Sequence, residues 1–434
     1  MRSFYLDNFR GFKDALVPLL KTNFLVGENS SGKSSFLKLI NMFSRPEFII
    51  TPQFIFDDDV GFGGFSDIVS LSSSDKSCFY VGSIFTEKKN GADDFDAQIY
   101  LFKFINNSGM PVVSKYARYS NGNILNIVLE KNRIKYRHDD CDDIVRSHDD
   151  ATKLFYRILD DFKFGNSRHY YLPDEMLRLP LPIIESIVLQ AADGLDKKLE
   201  IGKMDIPNSV INFNLKWIAP IRTKPQRVYY GIKRSFSSEG NHTPFTLKKT
   251  MSLRTKSASF AEKLSKFGAA SGLFEGIGVH SYGRGQSDPF ELLIKFSGVD
   301  FNINNVGYGI SQVLPLIVEF ISNERHHWFA VQQPEVHLHP KAQAALGELM
   351  YELAKEGKHS FLIETHSDYL IDRFRLSMKK DESPGRAQVL FFSNKNGVNS
   401  VNVIDIKNNG RYGDDQPKEF REFFIKEEIS MLDL

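Results

Sequence analysis

The sequence predicts an α/β fold with a β-rich lobe, and three stretches carry that expectation. Residues 22–26 form a short apolar strand that runs into a glycine-rich loop. A helix at 34–43 follows, with Phe36, Leu37, Ile40 and Phe43 on one side. From about 54 to 136 apolar and polar residues alternate, as in Cys78–Tyr80–Gly82–Ile84 and Tyr100–Phe102–Phe104. Turn signals at Asn90-Gly91, Ser108-Gly109 and Asn121-Gly122 divide this stretch into an antiparallel meander. From about 276 to 434 strand and helix patterns alternate.

Taken in order, Phe4, Leu6 and Phe9 mark an opening strand before the loop. After the meander, the acidic stretch HDDCDDIVRSHDD at 138–150 reads as a loop or boundary; its aspartates come in adjacent pairs, without the spacing of a calcium loop. Helical patterns follow at 151–163 and 184–200. Two basic segments come next: 222–234, which holds no acid, and 247–266, which holds one. The last lobe predicts strands at 291–296, 328–331 and 360–364, helices at 311–322, 341–356 and 368–378, and a β pair at 387–406. There is no internal repeat and no heptad run of coiled-coil length.

The bulk properties exclude several classes. With 434 residues the chain is long enough for a large core, and its 37 phenylalanines indicate one that is well filled. A formal net charge of +1 argues against a surface coated in positive charge for nucleic acid. Only Cys78 and Cys141 occur, which excludes a disulfide framework and fits a reducing compartment. No run approaches the ~20 apolar residues that span a bilayer, so a cytoplasmic protein without a membrane partner is expected.

Chemistry concentrates in a few motifs. Gly27-Glu28-Asn29-Ser30-Ser31-Gly32-Lys33-Ser34 is a complete G-x4-G-K-S between an apolar strand and an apolar-periodic helix, the context a phosphate-binding loop requires. Its glycines let backbone N–H groups turn toward phosphate, and the helix N-terminus adds positive potential. Lys33 suits the terminal phosphate oxygens of ATP, and the Ser34 hydroxyl suits Mg²⁺. Farther on, the apolar strand Phe329-Ala330-Val331 ends in Gln332-Gln333-Pro334-Glu335-Val336-His337-Leu338-His339-Pro340. A second strand, Phe361-Leu362-Ile363, ends in Glu364-Thr365-His366-Ser367. Between the basic segments and these strands, Asn305-Val306-Gly307-Tyr308-Gly309-Ile310-Ser311-Gln312 is a glycine-rich turn opening a helix. The histidines around His337 and His339 lack a third ligand nearby and read as packing rather than as a metal site.

In NFRGF (8–12), GENSSGKSS (27–35), VGYGISQVLP (306–315), QQPEVHLHP (332–340) and ETHSDYLIDRFR (364–375) the chain resembles the ABC-type ATPases of the RecF/SMC/OLD group. It is especially similar to the compact prokaryotic ATPases of anti-phage defence systems such as Septu and retrons. The resemblance covers both ends and about half of the chain. It implies an ABC-type ATPase head, with residues 1–105 carrying the phosphate loop and β-rich lobe. Residues 106–275 would be a mixed α/β insertion, and 276–434 the remainder of the head.

The resemblance also implies roles. Gly27, Asn29, Ser30, Ser31, Gly32, Lys33, Ser34 and Ser35 would hold the triphosphate, with Arg10 near the nucleotide. Gly307, Gly309, Ser311 and Gln312 would form the signature region, which meets the nucleotide held by another copy. Residues 336–340 would cross the dimer interface. Gln332, Gln333, Glu335 and His366 would be the catalytic set, His366 as the switch histidine, and Ser34 and Gln332 would face Mg²⁺. A homodimer or higher even oligomer follows. One phosphate loop leaves the γ-phosphate open to solvent, and a second helix N-terminus closing over it supplies the missing stabilisation.

Members of the group that the chain resembles usually carry an acid where this chain has Gln332. Glutamine keeps the shape and loses the charge, so ATP binding with poor hydrolysis is expected. Two origins stay open: a Glu→Gln exchange introduced to trap ATP, which is favoured, or a natural residue of a slow ATPase. Glu335 is the remaining acid that could act as base. Too few residues follow His366 for the fused nuclease of some members of the group, so the implied role is that of a defence sensor controlling a separate effector, most simply a nuclease. The alternative is a RecF-like repair ATPase that binds nucleic acid through Arg222, Lys224 and Arg227.

Overall fold

The computed structural model describes residues 1–45, 48, 61–88, 95–120, 122–130, 133–164, 168–170, 179–192, 214–233, 235–253, 257–381 and 386–423. The chain divides into two compact units. The first comprises Met1–Leu20, Glu28–Phe213 and Phe392–Val401; the second comprises Lys21–Gly27, Asn214–Phe391 and Asn402–Leu434. Neither is a continuous stretch of sequence.

The first unit is built on β1 (Arg2–Asp7) and β2 (Ala15–Leu19), while β3 (Thr22–Gly27) belongs to the second. After α1 (Lys33–Phe43) come β4 (Cys78–Lys88), β5 (Phe95–Asn107), β6 (Met110–Ser120), β7 (Asn123–Glu130) and β8 (Arg133–Asp140). Next are α2 (His148–Phe164), β9 (Arg168–Tyr170) and α3 (Leu181–Ala192). The strands form one sheet in the order β2-β1-β4-β5-β6-β7-β8-β9, and every neighbouring pair is antiparallel. The expected meander is therefore present from Cys78 onward, extended at its other edge by the first two strands.

Side chains alternate across a strand, and here both faces are buried. On one face Phe4 meets Phe36 and Phe43 of α1 edge-on, at 6.3 and 5.9 Å between ring centres. On the other, Tyr5 meets Phe155 of α2 at 5.2 Å. The helix read at 184–200 is present as α3, which ends at Ala192; residues 193–200 lie outside the described residues, as do 54–60 and the Asn90-Gly91 turn and Asn121 of the predicted meander. The acidic stretch 138–150 is not one loop. Its first residues finish β8 and its last begin α2, where Asp149 and Asp150 sit in the first helical turn and favour the helix dipole.

The second unit contains β10 (Leu215–Ile218), α4 (Thr243–Ser252), α5 (Ser257–Ser271), β11 (Gly276–Ser281), β12 (Phe290–Phe296) and β13 (Val299–Asn302). These are followed by α6 (Tyr308–Ser322), β14 (His327–Gln332), α7 (Pro340–Lys355), β15 (His359–Glu364) and α8 (Asp368–Asp381); β16 (Ala387–Lys395) and β17 (Val398–Ile406) have residues in both units. Six strands form a sheet in the order β10-β14-β15-β3-β16-β17, of which β10, β14, β15 and β3 run parallel. Parallel strands with both faces covered read as continuous apolar runs. Accordingly every residue of β3, β14 and β15 is buried. A separate antiparallel sheet joins β11, β12 and β13. Among the described residues no helix is long and apolar enough to cross a membrane.

His359 opens β15 with no solvent exposure. Its Nε2 lies 2.9 Å from the Phe320 carbonyl, and its Nδ1 faces the His327 N–H at 3.4 Å. One ring nitrogen meets an acceptor and the other a donor, which is the pattern of a neutral imidazole. Burial pulls the pKa of His359 down from 6.5 to about 4, the Phe320 carbonyl opposing the fall. Between those two values the unfolded chain takes up a proton that the folded chain refuses, so stability falls as the pH drops. A His359→Gln variant should lose up to one proton's share of that slope, about 1.4 kcal/mol per pH unit. Urea unfolding across this pH range measures it, and an unchanged slope would contradict the assignment.

Candidate functional site

The residues singled out in the sequence fall into both units. In the phosphate-loop segment, Gly27 and Gly32 adopt φ of +144° and +96°, and Ser30 is left-handed at +63°. No side chain fits at Gly32: a Cβ there would lie 2.6 Å from the Phe12 ring and 2.9 Å from the Asn399 amide. The Ser31 hydroxyl and the Lys33 ammonium both donate to the Glu28 carbonyl, at 2.7 and 2.6 Å, which closes the loop. Glu28, Asn29 and Ser30 are exposed, whereas Ser31 and Lys33 are buried. The α1 helix starts with no side-chain cap and no acid in its first turn, so that turn carries no negative charge to offset the positive end of its dipole.

The NFRGF segment folds beside this loop within the first unit. Arg10 is itself left-handed at φ +44°, held by its N–H donating to the Ile68 carbonyl and by the Asn399 amide donating to its own carbonyl, both at 2.7 Å. Its guanidinium donates to the Phe62 carbonyl at 2.5 Å, lies 5.2 Å over the Phe62 ring and reaches the Ser35 hydroxyl at 3.5 Å. Its Nε is buried without a partner among the described residues, and burial lowers the guanidinium pKa. The structure thus brings Arg10 to Ser35. Asn399 links the two segments, and nothing in its local sequence marked it.

In the second unit the two strand ends lie side by side. Gln332 pairs with Glu364 in the parallel register of β14 and β15, and its Nε2 donates to the Glu364 carboxylate at 2.7 Å. Both side chains are buried. Gln333 turns the chain at φ +42°, its N–H donating to the Glu364 carbonyl at 2.8 Å. Glu335 accepts from the Thr365 hydroxyl at 2.8 Å and from the His366 N–H at 2.7 Å, one on each oxygen. That carboxylate holds the turn bearing His366, whose exposed ring lies 6.5 Å from Phe423.

The glycine-rich turn touches the same region. Helix α6 begins at Tyr308, three residues before its predicted start, with Gly307 as its N-cap. A Cβ on Gly309 would meet the His337 carbonyl at 2.7 Å, and the Tyr308 ring stands edge-on to His337 at 4.9 Å. The Ser311 hydroxyl bonds back to the Tyr308 carbonyl at 2.7 Å. His337 therefore packs on the turn.

Arg222 is the residue the sequence misplaced. Read as one cation of a nucleic-acid patch, it is 2% exposed. Its guanidinium donates to the carbonyl of Gln312 in α6 and to that of Gln332 at the end of β14, each at 3.2 Å. Burial pushes its pKa down to about 10, opposed by the charge of Glu335, so it remains a cation at neutral pH. It is unavailable to a phosphate backbone and instead ties α6 to β14. A clue was present: Arg222 closely follows β10, the neighbour of β14. Of the other two cations in that reading, Lys224 and Arg227 are exposed.

The pattern of the AAA_15 family, an AAA ATPase domain, matches residues 1–165 and 197–371. The chain belongs to that family. Its mixed α/β fold is thus that of a family of ATPases. No curated protein matches the chain. Among solved structures it is similar to an SMC head bound to the C-terminal winged-helix domain of ScpA, at 13% identity and a TM-score of 0.45, over 93% of this chain and 97% of that one. It is also similar to the SMC head domain from Thermotoga maritima, at 14% identity and a TM-score of 0.40, over 92% and 97%. A third is the recombination mediator protein RecF-ATPrS of the RecFOR pathway, at 10% identity and a TM-score of 0.33, over 92% and 97%.

Removing Arg222 leaves two buried carbonyls and a side-chain cavity, and Arg222→Ala should cost about 3 kcal/mol or more. Arg222→Lys should recover only part of this, because an ammonium lacks the planar fork that reaches both carbonyls. Denaturant unfolding of the two variants measures it. An Ala variant as stable as the parent would remove the clamp.

Proposed function

We propose that the chain binds ATP with Mg²⁺ through its phosphate loop and hydrolyses it slowly, as a homodimer or higher even oligomer. The observation that carries the slow-hydrolysis reading is the buried amide of Gln332 donating to Glu364. The fit of the loop to a triphosphate rests on its left-handed glycines, the Lys33 ammonium folded onto the loop and the uncapped positive end of α1. Lys33 would neutralise the terminal phosphates, Ser34 would offer its hydroxyl to the cation, and Gly27 to Ser35 would hold the phosphate chain. Bound Mg²⁺ supplies charge neutralisation on the phosphate oxygens.

The catalytic strand end is weaker. Gln332 and Gln333 bring no charge, and a neutral amide neither binds Mg²⁺ as a carboxylate does nor takes a proton from water. Glu335 has a donor on each oxygen and orients the turn of His366. This leaves Glu364 as the acid beside Gln332. A carboxylate at 332 would face Glu364 at hydrogen-bond distance, and the two would share one proton unless a cation lay between them.

Slow turnover suits regulation. ATP held between copies, with Gly307, Gly309, Ser311 and Gln312 of one copy meeting the nucleotide of another, stabilises the assembly for as long as it survives. On that basis we read the chain as the sensor of a prokaryotic anti-phage system that controls a separate effector, most simply a nuclease. This role rests on the motif resemblance.

Lys33→Ala should abolish ATP binding measured by calorimetry, and Gln332→Glu should raise Mg²⁺-dependent turnover tenfold or more while leaving binding within a few-fold. Mass measurement with and without ATP should show an even oligomer only with nucleotide and an intact Lys33. A parent chain that turns over ATP as fast as the Gln332→Glu variant would overturn the proposal.

A further inference from the structure

The second unit contains a concave opening that the phosphate loop, residues 27–35, does not line, although its floor includes Ser311 of the glycine-rich turn and helix. We propose that it is a separate binding site for a small planar anion with the chemistry of a nucleobase and a phosphate. It encloses about 130 Å³ and opens to solvent at its mouth.

Its floor is one face of α6, formed by Ser311, Leu314 and Pro315, which lie on one helical stripe at i, i+3 and i+4. Pro315 has no N–H, so the carbonyl of Ser311 lacks its helical donor. Thr243, which lines the opening, is 2% exposed, and its hydroxyl has no hydrogen-bond partner among the described residues. A buried hydroxyl without a partner is unfavourable, and a ligand's polar group reaching it would relieve that cost.

The walls decide the class of ligand. Tyr229 is buried and stacks on Phe290 at 5.5 Å and 26°, so its ring is fixed before anything binds. Tyr230 is 69% exposed and lines the opening. Two amides, Gln226 and Asn241, and two exposed lysines, Lys224 and Lys233, complete the polar lining. No carboxylate lines it, and neither lysine is paired with an acid among the described residues. Fixed and free aromatic rings accept a planar ring by stacking, the amides suit its edge, and the ammonium groups suit a phosphate. A metal cation has no carboxylate to bind here, and a wholly apolar ligand would leave both lysines facing it.

The site has a physical line to the strand ends. The helix forming its floor carries Gln312, whose carbonyl Arg222 holds together with that of Gln332.

None of residues 27–35 contributes to the pocket, so the test uses the full chain carrying Lys33→Ala, in which loop binding is removed. Purine and pyrimidine nucleoside monophosphates are titrated by calorimetry, alongside inorganic phosphate and a short single-stranded oligonucleotide. Expected are saturable binding of at least one monophosphate, a tenfold or greater loss in the exposed pair Lys224→Glu/Lys233→Glu, and a several-fold loss in Tyr230→Ala. Absence of monophosphate binding, or binding unchanged in both variants, would overturn the proposal. So would inorganic phosphate binding as tightly as any monophosphate, since the rings would then be idle. An oligonucleotide binding tenfold more tightly than every monophosphate, and lost in the same variants, would replace the small ligand with a nucleic-acid strand.

Discussion

A single buried guanidinium organises the second unit. Arg222 donates to one carbonyl at the start of α6 and to another at the end of β14, so a helix and a strand that carry different motifs share one hydrogen-bonding centre. Burying a cation is unfavourable unless its donors are occupied. Here two backbone carbonyls and the nearby charge of Glu335 supply part of the compensation, while the Nε is buried without a partner among the described residues. Because a planar fork sets directions as well as charge, the position of Gln332 and that of the glycine-rich turn are not independent. A ligand or partner that moves α6 acts on the strand end through the same group.

The strand ends show a comparable economy of polar groups. Gln332 satisfies Glu364, while Glu335 satisfies Thr365 and the His366 backbone. Each side chain is placed by its neighbour across the parallel register of β14 and β15, which is why motifs far apart in sequence become one surface. Replacing an acid by an amide at this point changes the chemistry without changing the shape. An amide can donate to a carboxylate where a second carboxylate could not. The neutral residue is therefore locally well accommodated, whatever its consequence for hydrolysis.

In the first unit the controlling constraint is a sheet with both faces covered. The phenylalanines that stand out in the composition are used there as paired layers, α1 meeting Phe4 and α2 meeting Tyr5 on opposite sides of β1. A strand covered on one side only would alternate strictly between apolar and polar residues. These strands alternate less cleanly, since each side chain has something to pack against. The left-handed Arg10 and the close fit of Gly32 against Phe12 and Asn399 belong to the same packing.

Read alone, the sequence determined what depends on neighbours along the chain. The glycines and lysine of the phosphate loop, the apolar strands that precede it and the two later motifs, the turn opening α6 and the antiparallel order of the meander all follow from local pattern. Chain direction and periodicity are short-range properties. Tertiary structure decided what depends on burial and on partners distant in sequence. An arginine amid lysines and tyrosines looks like part of a charged surface until its carbonyl partners ninety or more residues away are brought to it, as they are for Arg222. The same holds for Asn399, which reaches back to Arg10, and for Glu364, whose role became visible only when β15 settled beside β14. Sequence registers the type of a side chain, but whether its charge faces water or a backbone dipole is set by the fold.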